Sequence, residues 1–188
     1  MKKYTNDILS LKKHGKSFYW ASYFLPNRSK SAAAELYSIC RYFDDLADNS
    51  FDDQSENLVN ELNIIRNKND HPINQFFNNH NISLDILEDL IQGLIKDQKE
   101  VRIKNQTELV NYSYQVAGTV GLMMSPLILV TERDAKKHAI DLGIAMQLTN
   151  IARDIFEDAN MNRIYIPKDW LGDIKITDLQ NPSNTSKK

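Results

Sequence analysis

A single cysteine, Cys40, excludes an internal disulfide and suits a reducing, cytoplasmic setting. No apolar run is long enough to span a bilayer, and the lysine-bearing start MKKYTNDILSLKKHG lacks the apolar stretch of a secretory signal. A cytoplasmic protein is therefore expected, with any membrane contact peripheral. Glycines and prolines are few and scattered, and no hairpin dipeptide separates alternating strands, which argues against a β fold. The formal net charge is only −2, so nucleic acid is not expected as a partner. No repeat recurs at a fixed period, and 188 residues, 41% of them hydrophobic, suit one domain with a real core. No feature of the sequence specifies an oligomeric state.

What the chain does carry is apolar residues at intervals of three and four, so an all-α fold is expected. Tyr19, Trp20, Tyr23 and Phe24 follow His14-Gly15-Lys16-Ser17-Phe18 and read as helix core in preference to a ligand wall. His14, Lys16 and Ser17 have two readings, an anion site or a solvated helix entry. Ser29 or Ser31 is a candidate N-cap for a helix through Leu36, Ile39, Cys40 and Phe43 to Leu46. Asn49 to Asn81 is polar, with a weak helix near Leu58 to Arg66, a loop at His71-Pro72, and solvated His71 and His80. Ile82 to Lys96 reads as an amphipathic helix, and Asp97, Lys99, Glu100 and Arg102 as a charged surface or rim.

Another apolar helix is expected from Glu108 to Val130. Gly118 and Gly121 inside it cost roughly 1 kcal/mol each relative to alanine, so a neighbouring helix or a bulky ligand chain should approach closely there. Arg163-Ile164-Tyr165-Ile166-Pro167 is an extended segment set by its proline. Residues 1–180 are expected to form the single domain and 181–188 a polar, disordered tail.

The most informative stretch is Asp141 to Leu171. Leu142, Ala145, Met146, Leu148, Thr149, Ala152, Ile155 and Phe156 recur at helical intervals and are expected to bury one broad stripe. On that helix Asn150, Asp154 and Asp158 are four residues apart, a ladder of hard oxygen donors about 6 Å per step. Carboxylates so close repel one another, and Mg²⁺ is the natural counter-charge, with waters and phosphate oxygens filling its remaining positions. A solvated acidic face is the plainer alternative. Upstream, Asp44 and Asp48 repeat the same spacing, with Arg41 three residues before Asp44. That arginine reads locally as a surface ion pair, or as a fork for phosphate oxygens. Arg153 stands beside the second ladder as Arg41 stands beside the first. Together the two ladders suggest one cavity, with magnesium bridging both walls to a phosphorylated ligand whose apolar chain ionises in a helical core.

Three segments carry a family resemblance: Cys40-Arg41-Tyr42-Phe43-Asp44-Asp45-Leu46-Ala47-Asp48, Val116-Ala117-Gly118-Thr119-Val120-Gly121, and Gln147 through Asp158 followed by Arg163-Ile164-Tyr165-Ile166-Pro167. In order and spacing, from about His14 to Leu171, the chain resembles the squalene and phytoene synthases, bacterial phytoene synthases most. The resemblance implies an all-α, isoprenoid-synthase-type bundle with a central cavity. It implies head-to-head coupling of two prenyl diphosphates, for phytoene two geranylgeranyl diphosphates through prephytoene diphosphate, without NADPH. By the same resemblance Asp44, Asp48, Asn150, Asp154 and Asp158 hold Mg²⁺, with Mn²⁺ as a substitute. Arg41 and Arg153 hold diphosphate, with His14, Lys16, Ser17 and Tyr37 near the phosphates. Tyr112, Val116, Ala117, Val120, Gly121 and Gln147 line the substrate channel, Tyr112 also with a catalytic part. Relatives continue for roughly another third of their length, so the closing C-terminal helices are expected to be missing here. Asn162 stands where relatives commonly have glycine.

Other readings stay open. A chain-elongating prenyl synthase shares the Asp44-Asp45-Leu46-Ala47-Asp48 pattern, but the second ladder lacks a double aspartate. Squalene, presqualene diphosphate or dehydrosqualene synthesis from farnesyl diphosphate depends on cavity depth. A non-catalytic relative or a fragment is the third alternative.

Overall fold

This computed structural model describes residues 11–13, 15–48, 53–98, 100–130, 132, 134–172 and 174–180. In chain order the elements are α1 (Lys16–Ala21), a 3-10 turn (Ser22–Phe24), α2 (Asn27–Asp48), α3 (Ser55–Asn67), α4 (Pro72–Asn79) and α5 (Leu84–Asp97). Then follow β1 (Val101–Arg102), α6 (Gln106–Ser113), a π-helical turn (Tyr114–Gly118), α7 (Thr119–Leu127), α8 (Ala135–Arg153), α9 (Ile155–Asn160), β2 (Arg163–Ile164), α10 (Lys168–Leu171) and α11 (Ile176–Gln180). The all-α expectation holds, apart from a two-residue parallel pairing of β1 with β2 that the sequence did not announce. The tail at 181–188 lies outside the described residues, as do His14 and Lys99.

Local chemistry explains most boundaries. Ser83 caps α5 by accepting the Asp85 N–H, and Leu87, Leu90, Ile91 and Leu94 then give the helix its buried face. Pro72 opens α4, where a loop was expected, because proline at a first helical position gives up an N–H that would be unpaired anyway. His71 Nδ1 accepts the Ile73 N–H, and His80 Nδ1 lies 2.9 Å from the Phe76 carbonyl oxygen, so both histidines bind helix ends instead of standing free in solvent. Helix α2 starts at Asn27, ahead of the expected caps, and Ser29 is buried in its first turn.

Helices α2, α3, α4, α5 and α7 share one core, with Leu36, Phe43, Leu58, Ile65, Phe77, Leu87, Ile91 and Met123 fully buried. Against it lies a close helix contact made by glycines. A Cβ on Gly121 would run into the Ala139 carbonyl, and one on Gly143 into the Ala117 carbonyl. The neighbour expected at Gly118 and Gly121 is therefore helix α8.

Helix α8 corrects the sequence reading. Its period is right but its phase is not: of its residues only Gly143 and Ile151 are buried. Leu142, Ala145, Met146, Thr149 and Ala152 are exposed, as is Phe156 on α9. The inner face instead runs through Ile140, Gly143, Ile144, Leu148 and Ile151, because the glycine lets the backbone of α8 seat on the π-helical turn. Apolar residues thus occupy both sides of α8, and the outer side has no packing partner among the described residues.

Candidate active site between two acidic helix ends

The first acidic group ends α2. Arg41 Nη2 lies 2.6 Å from Asp45 and Nη1 3.8 Å from Asp44, so its terminal nitrogens are engaged by carboxylates. Its Nε is buried without a hydrogen-bond partner among the described residues, a donor suited to an incoming anion. Asp44 is half-buried near the end of α2. Its side chain is 49% exposed, yet surrounding protein thins the water and pushes its carboxyl up to about 6; Arg41 opposes this, and Asp48, Asp45 and Asp97 add to it.

The second group spans the junction of α8 and α9. The expected unbroken helix bends at Asp154, which has φ −104° and ψ 16°. Two backbone bonds carry the helical connection across the bend, Asp154 N–H to Asn150 O at 2.9 Å and Asp158 N–H to Asp154 O at 2.8 Å. Asn150, Asp154 and Asp158 therefore keep their succession. Arg153 grips Asp154 with two nitrogens, at 2.7 and 2.6 Å, and holds that carboxyl below its usual range. Asp158 goes the other way: burial first, then the charge of Asp154, pushes it up to about 6 against the pull of Arg163.

Asp97 joins the two groups, and it was read from sequence only as rim. It accepts hydrogen bonds from Tyr112 at 2.8 Å and from Tyr165 at 3.0 Å, beneath stacked rings 4.8 Å apart. Its charge raises both Asp44 and Asp158, while Asp48 raises Asp97 in turn. Burial is the leading cause of its own upward shift. The available signal was register: Asp97 follows Leu90 and Leu94 on the buried face of α5, where a carboxylate needs partners. Asp97→Ala leaves two buried phenols without an acceptor and is expected to cost about 2–3 kcal/mol, read as a lower denaturant midpoint at unchanged slope.

The raised carboxyls set a pH dependence. Asp44 and Asp158 bind protons more tightly in the fold than at the ordinary value of 3.8, so their ionisation disfavours the fold above about pH 6. That penalty fades as pH falls toward about 4. In metal-free protein, Asp44→Asn should raise the melting midpoint near pH 7.5 and leave it nearly unchanged near pH 4.

An apolar cavity of about 290 Å³ opens beside the first group, lined by Phe18, Leu36, Tyr37, Val120, Met124 and Ile128 among others. Of the residues expected at the substrate, Tyr37 and Val120 stand in its wall. Tyr112 and Val116 belong instead to the cluster with Tyr165 and Leu148. The Ala117 carbonyl faces Gly143, Gly121 faces Ala139, and Gln147 is half-buried on α8. Lys16 and Ser17 are exposed at the start of α1, and His14 lies outside the described residues.

Among the described residues no three His, Cys, Asp or Glu side chains stand close enough to hold one metal ion between them. The donors present, Asp44, Asp48, Asn150, Asp154 and Asp158, are all hard oxygens, with Asp48 and Asn150 exposed and the other three half-buried. This set fits Mg²⁺, which takes one or two carboxylates and completes its shell with water and phosphate oxygens.

The squalene/phytoene synthase family model matches residues 11–187. The chain is 35% identical to a phytoene synthase of Cereibacter sphaeroides over 82% of this chain and 49% of that one. It is 33% identical to a 15-cis-phytoene synthase of Enterobacter agglomerans, over 90% and 64%. The chain thus spans about half to two thirds of the length of these curated relatives. A solved dehydrosqualene synthase superposes with a TM-score of 0.78 at 32% identity, over 95% of this chain and 66% of that chain. The squalene synthase HpnC from Alicyclobacillus acidocaldarius superposes with a TM-score of 0.77 over 92% and 71%, and at 21% identity it speaks for the fold alone. A helical isoprenoid-synthase fold, the acidic segments in their expected order and a family match over nearly the whole chain lead to one conclusion: the chain belongs to the squalene/phytoene synthase family.

Proposed function

We propose that the protein couples two geranylgeranyl diphosphates head to head, through prephytoene diphosphate, to phytoene, with release of diphosphate. The observation that carries this reading is the coupling through Asp97: acidic side chains from α2 and from the α8–α9 junction sense the same buried carboxylate, which Tyr112 and Tyr165 hold in place. A site so rich in negative charge, with the unpaired Nε of Arg41 beside it, calls for a cation-bridged anion. Asp44, Asp48, Asn150, Asp154 and Asp158 would hold magnesium. When bound, that ion supplies Lewis-acid stabilisation of the negative charge on a departing diphosphate.

The rest falls to the chain's own groups. Arg41, already oriented by Asp44 and Asp45, offers its inner nitrogen to a phosphate oxygen. The cavity between α1, α2 and α7 takes the prenyl chain, keeps water away from allylic carbon and turns the Phe18 and Tyr37 rings toward developing positive charge. Asp97 fixes Tyr112 and Tyr165 between the two acidic groups, where their hydroxyls are held strongly in the protonated form by burial.

A second reading, farnesyl diphosphate coupled to squalene, presqualene diphosphate or dehydrosqualene, draws on the 32% identity to a dehydrosqualene synthase. Product mass separates the two. Incubation with magnesium and geranylgeranyl diphosphate is expected to give a C40 hydrocarbon without NADPH. A product from farnesyl diphosphate alone would move the assignment to the second reading.

A further inference from the structure

We infer, on the reading of Asp158 as a metal ligand, that Arg102 is a positioning residue for the second acidic group. Through its bonds to Asn162 it holds Asp158, Arg163 and Tyr165 in register with Asp97. Read from sequence as part of a charged rim, Arg102 stands on β1 and reaches the turn between α9 and β2, 60 residues further along the chain. Its Nη1 donates to the Asn162 carbonyl at 2.7 Å and to the Val101 carbonyl at 2.6 Å, and its Nη2 donates to Asn162 Oδ1 at 2.5 Å. Glu100 Oε1 lies 2.5 Å from the same Nη2 and balances its charge. A guanidinium is rigid and planar, so acceptors bound along its edges are fixed in angle as well as in distance.

Asn162 is fitted to this task. Its φ of 62° lies in the left-handed region, where glycine and asparagine are among the least strained residues. Glycine would offer Arg102 a carbonyl alone, whereas asparagine adds the carboxamide oxygen. Upstream, the Asn162 N–H donates to the Ala159 carbonyl and the Met161 N–H to the Asp158 carbonyl, both at 3.0 Å, so the turn continues the end of α9. Downstream, Arg163 pairs with Val101 and Ile164 with Arg102, after which the Tyr165 hydroxyl donates to Asp97. Arg163 Nη2 donates to the Asp97 carbonyl at 3.4 Å. Asp158, Arg163 and Tyr165 line one small cavity, so a slip at Asn162 shifts all three against Asp97. The Asn162 contact lies at the surface, as do the side chains of Trp20, Tyr23 and Phe24, which the sequence reading placed in a helix core. What sets it apart from them is that it joins two segments of the site.

Affinity for Mn²⁺ in the presence of a non-reacting prenyl thiodiphosphate, measured on the full chain, provides the test. Arg102→Gln is expected to weaken binding about tenfold, the low end of what a group supporting a metal ligand contributes. Asn162→Gly keeps the backbone turn and removes one acceptor, so a loss of about threefold is expected. Both act through one contact, so the double variant should bind no worse than Arg102→Gln alone. Asn162→Asp keeps an acceptor oxygen and should stay within about twofold of the parent. Denaturant midpoints should fall only slightly, because the contact is at the surface. Unchanged affinity in Arg102→Gln, losses that multiply in the double variant, or a lower midpoint without weaker binding overturns the proposal. Should Arg102→Gln fail to fold, Asn162→Gly and Asn162→Asp decide it: a loss in the first that the second does not share supports the positioning role, and equal affinities overturn it. A parent protein that binds no Mn²⁺ under these conditions sinks the metal reading itself, and the positioning role with it.

Discussion

Alanine at Asp44 or at Asp154 is expected to abolish metal-dependent diphosphate release, lowering turnover at least about 100-fold. The two positions sit on different elements, the end of α2 and the bend between α8 and α9, and each tests one of the two acidic groups. Neither side chain is a core residue, so far-UV circular dichroism should stay at the parent spectrum and the melting midpoint should not fall, with Asp44→Ala rising somewhat above the parent in metal-free protein near pH 7.5, as for Asp44→Asn. A loss of turnover then reports on the site and not on the fold. Asp45→Ala is the contrast. Asp45 is half exposed and bonded to Arg41 at 2.6 Å, so its removal loosens that arginine without removing an expected metal ligand. A smaller loss, mainly in KM, is expected there. Unchanged turnover in Asp44→Ala or Asp154→Ala refutes the site assignment.

The largest effect on stability is expected at the glycines between α7 and α8. Alanine at Gly143 would drive its methyl into the Ala117 carbonyl and the Gly118 backbone, and alanine at Gly121 into Ala139. In both cases the obstacle is main chain inside a helix, which cannot rotate aside as a flexible side chain would. The helices must separate, and the packing of Ile140 and Ile144 against Gly118 goes with them. A loss of about 3 kcal/mol or more is expected for either substitution, at the upper end for overpacking. Gly172→Ala is a control of a different kind: its φ of 55° strains any side chain, but nothing lies within 4 Å. Its loss should be about 1 kcal/mol, and chemical denaturation of the three variants would rank them.

Helical periodicity made the fold class readable, and the spacing of Asp44 with Asp48 and of Asn150 with Asp154 and Asp158 made the acidic ladders readable. What escaped was whatever depends on a neighbour. The phase of α8 is set by Gly143 and not by its larger apolar residues, so the stripe chosen from Leu142, Met146 and Phe156 pointed outward. Asp97 looked like solvent-facing charge because its partners, Tyr112 and Tyr165, lie 15 and 68 residues further along the chain. The π-helical turn at Tyr114–Gly118 and the pairing of Val101 with Arg163 are likewise products of tertiary packing. Helix α4 was legible after all: Pro72 followed by Ile73, Phe76 and Phe77 is a helix start with a buried face.

The central claim is that α2 and the α8–α9 junction grip one ligand in common, and a double-mutant cycle measures that most directly. Affinity for Mn²⁺ in the presence of a non-reacting prenyl thiodiphosphate would be determined for the parent, Asp48→Asn, Asp158→Asn and the double variant. A shared ligand makes the two losses overlap, so the double variant should bind at least about tenfold better than the product of the single effects implies. Losses that multiply independently would place the two carboxylates in separate sites and contradict the account.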